Sequence, residues 1–309
     1  MAPSRGPPTL ARTLHATLDS HKGAVHVARY SNGPAKYVLT GGQDRSVRLW
    51  NPATGLEIKT YAGHGYEVLS ITVAHDNVKF ASSGGDRSVF IWDVATGTTT
   101  RRLAGHMGKI NAVDFNEDAS VIASGSFDCS VRLWDIRSQS RQPMQILDDS
   151  RDAIQTLCVG SAYIMSGSVD GHVRTYDLRM GMLTVDYLGQ PITSLAPAHD
   201  AQTVLAATLD ARVHLLDLHT GSALNTFTGH SHAEYRCRAC FGHAEASVIC
   251  GDENGQVWAW DLLDATPLLP NPPPKIHDKV ITWVEHHPTD PNEMITASAD
   301  GTVKVWRSR

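Results

Sequence analysis

The sequence predicts an all-β fold, a seven-bladed β-propeller, and three observations carry that expectation. A turn marker recurs seven times, a histidine stands at a fixed distance ahead of most markers, and a strand-like segment near the N-terminus replaces one that the last copy lacks. The marker is an acidic or amide residue followed six positions later by an aromatic or apolar one. It occurs as Asp44…Trp50, Asp86…Trp92, Asp128…Trp134, Asp170…Tyr176, Asp210…Leu216, Asn254…Trp260 and Asp300…Trp306, at intervals of 42, 42, 42, 40, 44 and 46 residues. Asp follows the aromatic or apolar position at 93, 135, 177, 217 and 261, and Asn51 does so in the first copy.

Each copy has one internal grammar. VLTGGQDRSVRLWN, FASSGGDRSVFIWD, VIASGSFDCSVRLWD and MITASADGTVKVW are pairs of short β-rich runs joined by a small-residue turn that carries the Asp. An alternating stretch precedes the pair, as in Ile110–Phe115, and another follows it, as in Thr98–Leu103. That makes four strands per copy and one sheet per copy.

The second marker is a histidine, at 21, 64, 106, 230 and 277, lying 23, 22, 22, 24 and 23 residues before its turn Asp or Asn. Such regularity implies contact in the folded blade, along a chain from Trp through Ser or Thr to His and Asp. A buried indole N–H, hydroxyl and imidazole each need a partner, and these residues supply them to one another. Four copies are complete: His21/Thr40/Asp44/Trp50, His64/Ser82/Asp86/Trp92, His106/Ser124/Asp128/Trp134 and His277/Thr296/Asp300/Trp306. The fourth has Ser150 in place of His and Tyr176 in place of Trp; the fifth has Gln190, Ala206 and Leu216; the sixth has Cys250 and Asn254. Blades four to six are thus expected to be the less rigid arc.

The last copy ends three residues after Trp306 and has no fourth strand of its own, while Ala11–Leu18 precedes His21 as Thr98–Leu103 precedes His106. The N-terminal segment is therefore expected to complete the last blade and close the ring. Residues 1–9 read as a disordered lead-in and 10–309 as a single propeller domain, with turn markers at 44, 86, 128, 170, 210, 254 and 300.

Composition limits the function. With 41% hydrophobic residues, 19% charged residues and a net charge of −5, the chain has material for a core but no field that would gather nucleic acid or an anionic membrane. Neither a signal-peptide apolar region nor a run of about 18 apolar residues occurs. Five cysteines, an odd and sparse set, read as reduced thiols of an intracellular, soluble protein. His230-Ser-His232, Cys237-x-x-Cys240 and His243 have a zinc-like spacing. Placed in the first strand of blade six, however, the two cysteines point to opposite faces, so a core strand is the favoured reading. Nucleotide-binding and hydrolase signatures are missing. No catalytic residue, metal or cofactor is expected.

Binding is the remaining class. The residue before each turn Asp should lie on the ring face beside the central channel, where Phe127, Val169 and Leu209 come from adjacent blades and Tyr66 and Met107 extend them. An exposed apolar arc of this kind marks a partner site.

These repeats resemble the WD-repeat family over essentially the whole chain from about residue 10. Trp134-Asp-Ile-Arg137 and Tyr176-Asp-Leu-Arg179 also resemble the W-D-x-R box of substrate receptors that dock on cullin-4 ubiquitin ligase adaptors, which would give Arg137 and Arg179 an adaptor-binding role on the opposite face. TYAGHGYEVL, RDAIQTL, GSVDGHVRTYDLRMG and GHSHAEYRCRACF are similar to the mitogen-activated protein kinase organizer family of WD-repeat proteins. That resemblance implies a non-catalytic, nuclear and cytoplasmic scaffold, monomeric within larger complexes, with kinase-cascade components or pre-mRNA splicing factors as partners. Direct contact with nucleic acid or membrane is not expected.

Overall fold

Seven antiparallel sheets follow one another around a central channel in the computed structural model, which describes residues 10–308. The expected lead-in at 1–9 lies outside the described residues. Blade one is built from Val25–Tyr30, Val38–Gly42, Ser46–Asn51 and Leu56–Ala62. Blades two to five repeat that meander from Val68–Val73, Ile110–Phe115, Ile154–Val159 and Ile192–Pro197 as innermost strands. In blade seven, Ile281–His286, Glu293–Ser298 and Val303–Arg307 are completed by Thr13–Leu18, which pairs antiparallel with Val303–Arg307 from Thr13↔Arg307 to Leu18↔Val303. The first strand of the chain thus closes the ring and covers the free edge of the last blade.

Blade six departs from the expected four strands. It has three, Ala239–Phe241, Ser247–Gly251 and Val257–Asp261, and the segment that follows forms no fourth strand but meets the edge at the bridges Trp260↔Pro267 and Gln256↔Lys275 and through a hydrogen bond from Gln256 Nε2 to Pro273 O at 2.6 Å. Pro267, Pro270, Pro272, Pro273 and Pro274 leave that segment too few N–H groups for a ladder.

The sheets pack face to face because their second strands are small. Val38–Gly42 is buried throughout, and a Cβ on Gly41 would lie 2.7 Å from Val68 Cγ1 of the next blade. At the matching place in blade six a Cβ on Gly251 would lie 2.4 Å from Ile281 Cγ2. Only a bare backbone lets adjacent sheets approach so closely.

At the rim, outer strands reach across to the following blade. His15 Nε2 bonds Ala53 O at 3.1 Å, Lys59 Nζ donates to Ala95 O at 2.6 Å, and Asn225 Nδ2 donates to Leu262 O at 3.1 Å. Arg101 donates to the carbonyls of Asp135, Ile136, Ser138 and Ser140 at 3.2, 2.8, 2.6 and 2.6 Å. No such clamp joins the outer strands of blades three and four to the blades after them among the described residues.

Candidate functional site

In four blades the marker residues meet in one directional relay. Trp92 Nε1–H donates to Ser82 Oγ at 2.8 Å, Ser82 donates to His64 Nε2 at 2.7 Å, and His64 Nδ1–H donates to Asp86 at 2.5 Å. The same three links measure 2.8, 2.7 and 3.0 Å for Trp50, Thr40, His21 and Asp44. They measure 2.8, 2.8 and 2.9 Å for Trp134, Ser124, His106 and Asp128, and 2.9, 2.8 and 2.9 Å for Trp306, Thr296, His277 and Asp300. Because the carboxylate accepts the Nδ1–H, which fixes the tautomer, Nε2 is left as the acceptor and every donor has a partner. Burial raises the affinity of Asp300 for its proton, but hydrogen bonds from Thr302 and the nearby His277 outweigh it and bring the pKa down to about 2. Burial pushes His64 and His277 down against the pull of Asp86 and Asp300, so these rings stay neutral. Each relay consumes its own His and Asp and leaves no free base or nucleophile.

The other three blades differ in ways the spacing did not disclose. In blade four a buried guanidinium takes the histidine's place: Arg174 Nη2 lies 2.7 Å from Asp170 Oδ2, and Nη1 donates to Ser168 and Ser150 at 2.9 and 3.3 Å. The signal was present, since Arg48 and Arg132 also stand four residues after their turn Asp, at 3.4 and 3.9 Å. Blade five has no relay, because buried Ala206 and Leu216 bring no polar atom that needs one.

Blade six corrects the marker assignment. His230 has no hydrogen-bond partner on either ring nitrogen, and Trp260 Nε1 donates to Thr228 O at 3.2 Å. The working pair is displaced by two residues: buried Asp252 accepts the Trp258 indole N–H at 3.0 Å and the backbone N–H groups of Asn254 and Gln256 at 3.0 and 2.7 Å. Cys250, where the hydroxyl would stand, hydrogen-bonds to Gly251 O instead. Of the zinc-like pair only Cys240 lies in the first strand, which begins at Ala239, and both thiols are buried and free. No cluster of three or more possible metal ligands occurs among the described residues.

The residues before the turn Asp do share one face. The N–H groups of Phe127, Val169 and Leu209 bond Lys109 O, Ala153 O and Pro191 O at 2.9, 3.0 and 3.1 Å, each beside its blade's innermost strand. The expected apolar arc through these three is interrupted. Phe127 is 55% exposed, whereas Val169 and Leu209 are half-buried, so the patch runs the other way, to Tyr66 at 64% and Met107 at 76%. Lys109 Nζ sits 5.8 Å above the Phe127 ring and adds a charge at its border.

On the opposite face Arg137 is 72% exposed in its side chain and paired to Asp118 at 2.8 Å, and Arg179 is exposed after the tight turn at Asp177. A second apolar surface went unforeseen. The outer strand of blade four, Met182–Tyr187, exposes Met182, Leu183, Val185 and Tyr187 on an unpaired edge, with Met144 and Ile146 exposed in blade three. Apolar residues at both alternating sets of MLTVDY were the available signal.

Comparison with known proteins follows the same division of the ring. The family model described as WD domain, G-beta repeat matches residues 12–51, 55–93, 97–135 and 275–307, the four blades with complete relays. WD repeat domain-containing protein 83 of Rattus norvegicus is 49% identical over 300 residues, 97% of this chain and 93% of that protein. Its Homo sapiens counterpart of the same name is 47% identical over 305 residues, 99% of this chain and 95% of that protein. An uncharacterised WD repeat-containing protein of Schizosaccharomyces pombe is 49% identical over 286 residues, 93% of this chain and 95% of that protein.

Proposed function

The chain belongs to the WD-repeat family, with WD repeat domain-containing protein 83 among its relatives, and from that premise we propose that it is a non-catalytic scaffold for other proteins. The observation that carries this reading is the exposed patch of Tyr66, Met107 and Phe127 on one face. Aromatic and Met side chains are enriched at recognition surfaces relative to the rest of a protein's surface. A scaffold works by co-localisation: partners held on one rigid body meet at a raised effective concentration. The resemblance to the mitogen-activated protein kinase organizer family favours two settings, pre-mRNA splicing complexes and a kinase cascade, in the nucleus and cytoplasm. The splicing setting is preferred, through proteins of those complexes rather than through RNA, because the net charge of −5 supplies no general attraction for phosphate backbones.

The test is affinity purification with mass spectrometry from cells expressing wild type or Tyr66→Glu/Met107→Glu/Phe127→Glu. Splicing or kinase-cascade proteins should co-purify with wild type and be lost from the variant, whose thermal transition should be unchanged. Retention of the same partners by the folded variant removes the patch from the argument. The second reading, a cullin-4 substrate receptor, is favoured by the exposure of both Arg137 and Arg179. It requires that Arg137→Ala/Arg179→Ala abolish adaptor capture.

A further inference from the structure

The central channel is blocked at one level and open below it. Arg236, in the segment that leads into the first strand of blade six, crosses the channel and donates from Nη1 to Asn111 O of blade three at 2.8 Å, while its Nε donates to Thr193 O of blade five at 3.2 Å. Below this bar lies a cavity of about 680 Å³, which opens on the face away from Phe127, among His199, Glu245 and His287. Arg29, Asp114, Arg238, Trp283, Glu285 and His286 line its walls.

Most of the polar groups in this cavity are already engaged. Glu285 accepts from Trp283 Nε1 at 3.0 Å and from Tyr30 N at 3.3 Å, and lies 3.6 Å from Arg29. Asp114 accepts from Thr72 at 2.9 Å and from Val159 N at 3.0 Å, and lies 3.9 Å from Arg29. Glu245, at the mouth, accepts the His199 backbone N–H.

Two side chains with buried polar atoms are not engaged. Arg238 lies 4.0 Å from the centre of the Trp283 ring, forms no ion pair, and its buried Nε has no hydrogen-bond partner. His286 donates from Nδ1 to His287 O at 2.8 Å, which leaves Nε2 as a lone-pair acceptor, and that atom too is buried without a partner. Burial disfavours the charged form of both side chains, so an anion beside Arg238 would relieve a cost already present.

We propose that this cavity binds an acidic side chain of a partner polypeptide, entering from the face opposite the Phe127 patch, with its carboxylate on Arg238 and a neighbouring peptide N–H on His286 Nε2. A guanidinium held flat on an indole presents a planar fork that matches a carboxylate. An acceptor beside the fork calls for a donor in the same ligand, which a peptide has and an inorganic anion does not. Asp114, Glu245 and Glu285 roughly balance Arg29, Arg236 and Arg238, so the cavity has no charge excess to hold a multiply charged phosphate and suits a single carboxylate better.

The test is a ligand-observed titration of the full chain with acetyl-Gly-Gly-Glu-Gly-Gly-amide, its Gln counterpart and inorganic phosphate. The Glu peptide should bind roughly tenfold more tightly than either of the others, the difference made by one charge-assisted contact. Arg238→Met should erase that preference with an unchanged thermal transition. If that variant does not fold, Arg238→Lys keeps the charge but not the fork and should lose about as much. Trp283→Phe, titrated alongside, should abolish the peptide-induced change in tryptophan fluorescence. Equal binding of Glu and Gln peptides, a preference for phosphate, or full affinity in a folded Arg238 variant would each overturn the proposal.

Discussion

Blades one, two, three and seven form one arc of the ring and blades four, five and six another, and the two solve the same burial problem differently. In the first arc each blade buries one identical relay of three directed hydrogen bonds. The second arc uses an arginine–aspartate pair, an apolar substitute and a displaced Trp258–Asp252 pair in turn. Clamps at the rim divide the ring elsewhere: blades seven, one, two and five grip the next blade, and blades three and four do not. The unclamped rim is also where Met182, Leu183, Val185 and Tyr187 are exposed. A repeat fold gains by satisfying its buried polar atoms but does not prescribe by what, and the second arc, where His230 and the Ser166 hydroxyl go without a partner, diverged while the ring stayed closed.

The largest expected effect tests what both arcs share. Deleting residues 1–18 removes Thr13–Leu18 and uncovers Val303–Arg307, and should abolish the cooperative unfolding transition followed by circular dichroism in urea. A sharp transition surviving the deletion would show that the arcs hold together without closure.

Next, Arg174→Ala takes the guanidinium from half-buried Asp170, which keeps only the hydrogen bonds of Ser150, Ser168 and the Arg151 and His172 N–H groups, and should cost about 2–3 kcal/mol in urea denaturation. Asp210→Ala, at the same turn of the relay-free blade five, should cost no more than about 1 kcal/mol, its ion pair with Arg212 being largely exposed. Equal losses would mean that blade four does not depend on its guanidinium.

Acid should separate the arcs as well. Burial, and then the neighbouring His232, bring the pKa of His230 down to about 4, whereas an unfolded histidine titrates near 6.5. Between those values the unfolded chain binds the extra proton, so stability falls as pH drops from about 6.5 to about 4, by up to about 3 kcal/mol. His64 and His277 contribute with the same sign. The carboxylate of Asp300, depressed to about 2, loses its contribution only as pH falls below about 3.8. His230→Gln should therefore reduce, without abolishing, the fall in melting temperature between pH 6.5 and 4.5, roughly the window in which His230 acts, since His64 and His277 remain; an unaltered slope would place the acid sensitivity elsewhere.

A smaller contrast lies between two equivalent hydroxyls. Ser82→Ala orphans the Trp92 donor and the His64 acceptor and should cost about 2 kcal/mol, while Ser166→Ala removes a hydroxyl that already lacks a partner and should be close to neutral. Smallest of all, Arg101→Ala should cost about 1 kcal/mol and raise hydrogen exchange in residues 136–142, the loop it grips. No change in exchange there would remove the clamp from the comparison.

Much of this was legible in the chain. Seven turn markers and five histidines at fixed offsets predicted the propeller, its blade order and, in four blades, the residues that meet, because a blade is a local meander whose partners lie within about 25 positions. Arg174 was missed although Arg48 and Arg132 stand at the same offset, because beside a histidine the arginine is secondary and only its absence makes it principal. Asp252 and Trp258 were missed because a strand's period of two lets a pair slip by two residues and keep its face.

What the sequence determined by itself, then, was everything that repeats: blade number, closure by the first strand, and the relays, since repetition of a local pattern can be counted without coordinates. Only the tertiary structure decided what happens once. The bar from Arg236 to Asn111 joins residues 125 positions apart, and the cavity below it is lined by side chains from all seven blades. The repeat supplies the position, since Arg29, Asp114 and Glu285 each stand fifth in their blade's innermost strand, but not which charges fill it or which of them meet. They meet because seven twisted sheets close around one axis and bring the inner edges of distant strands together.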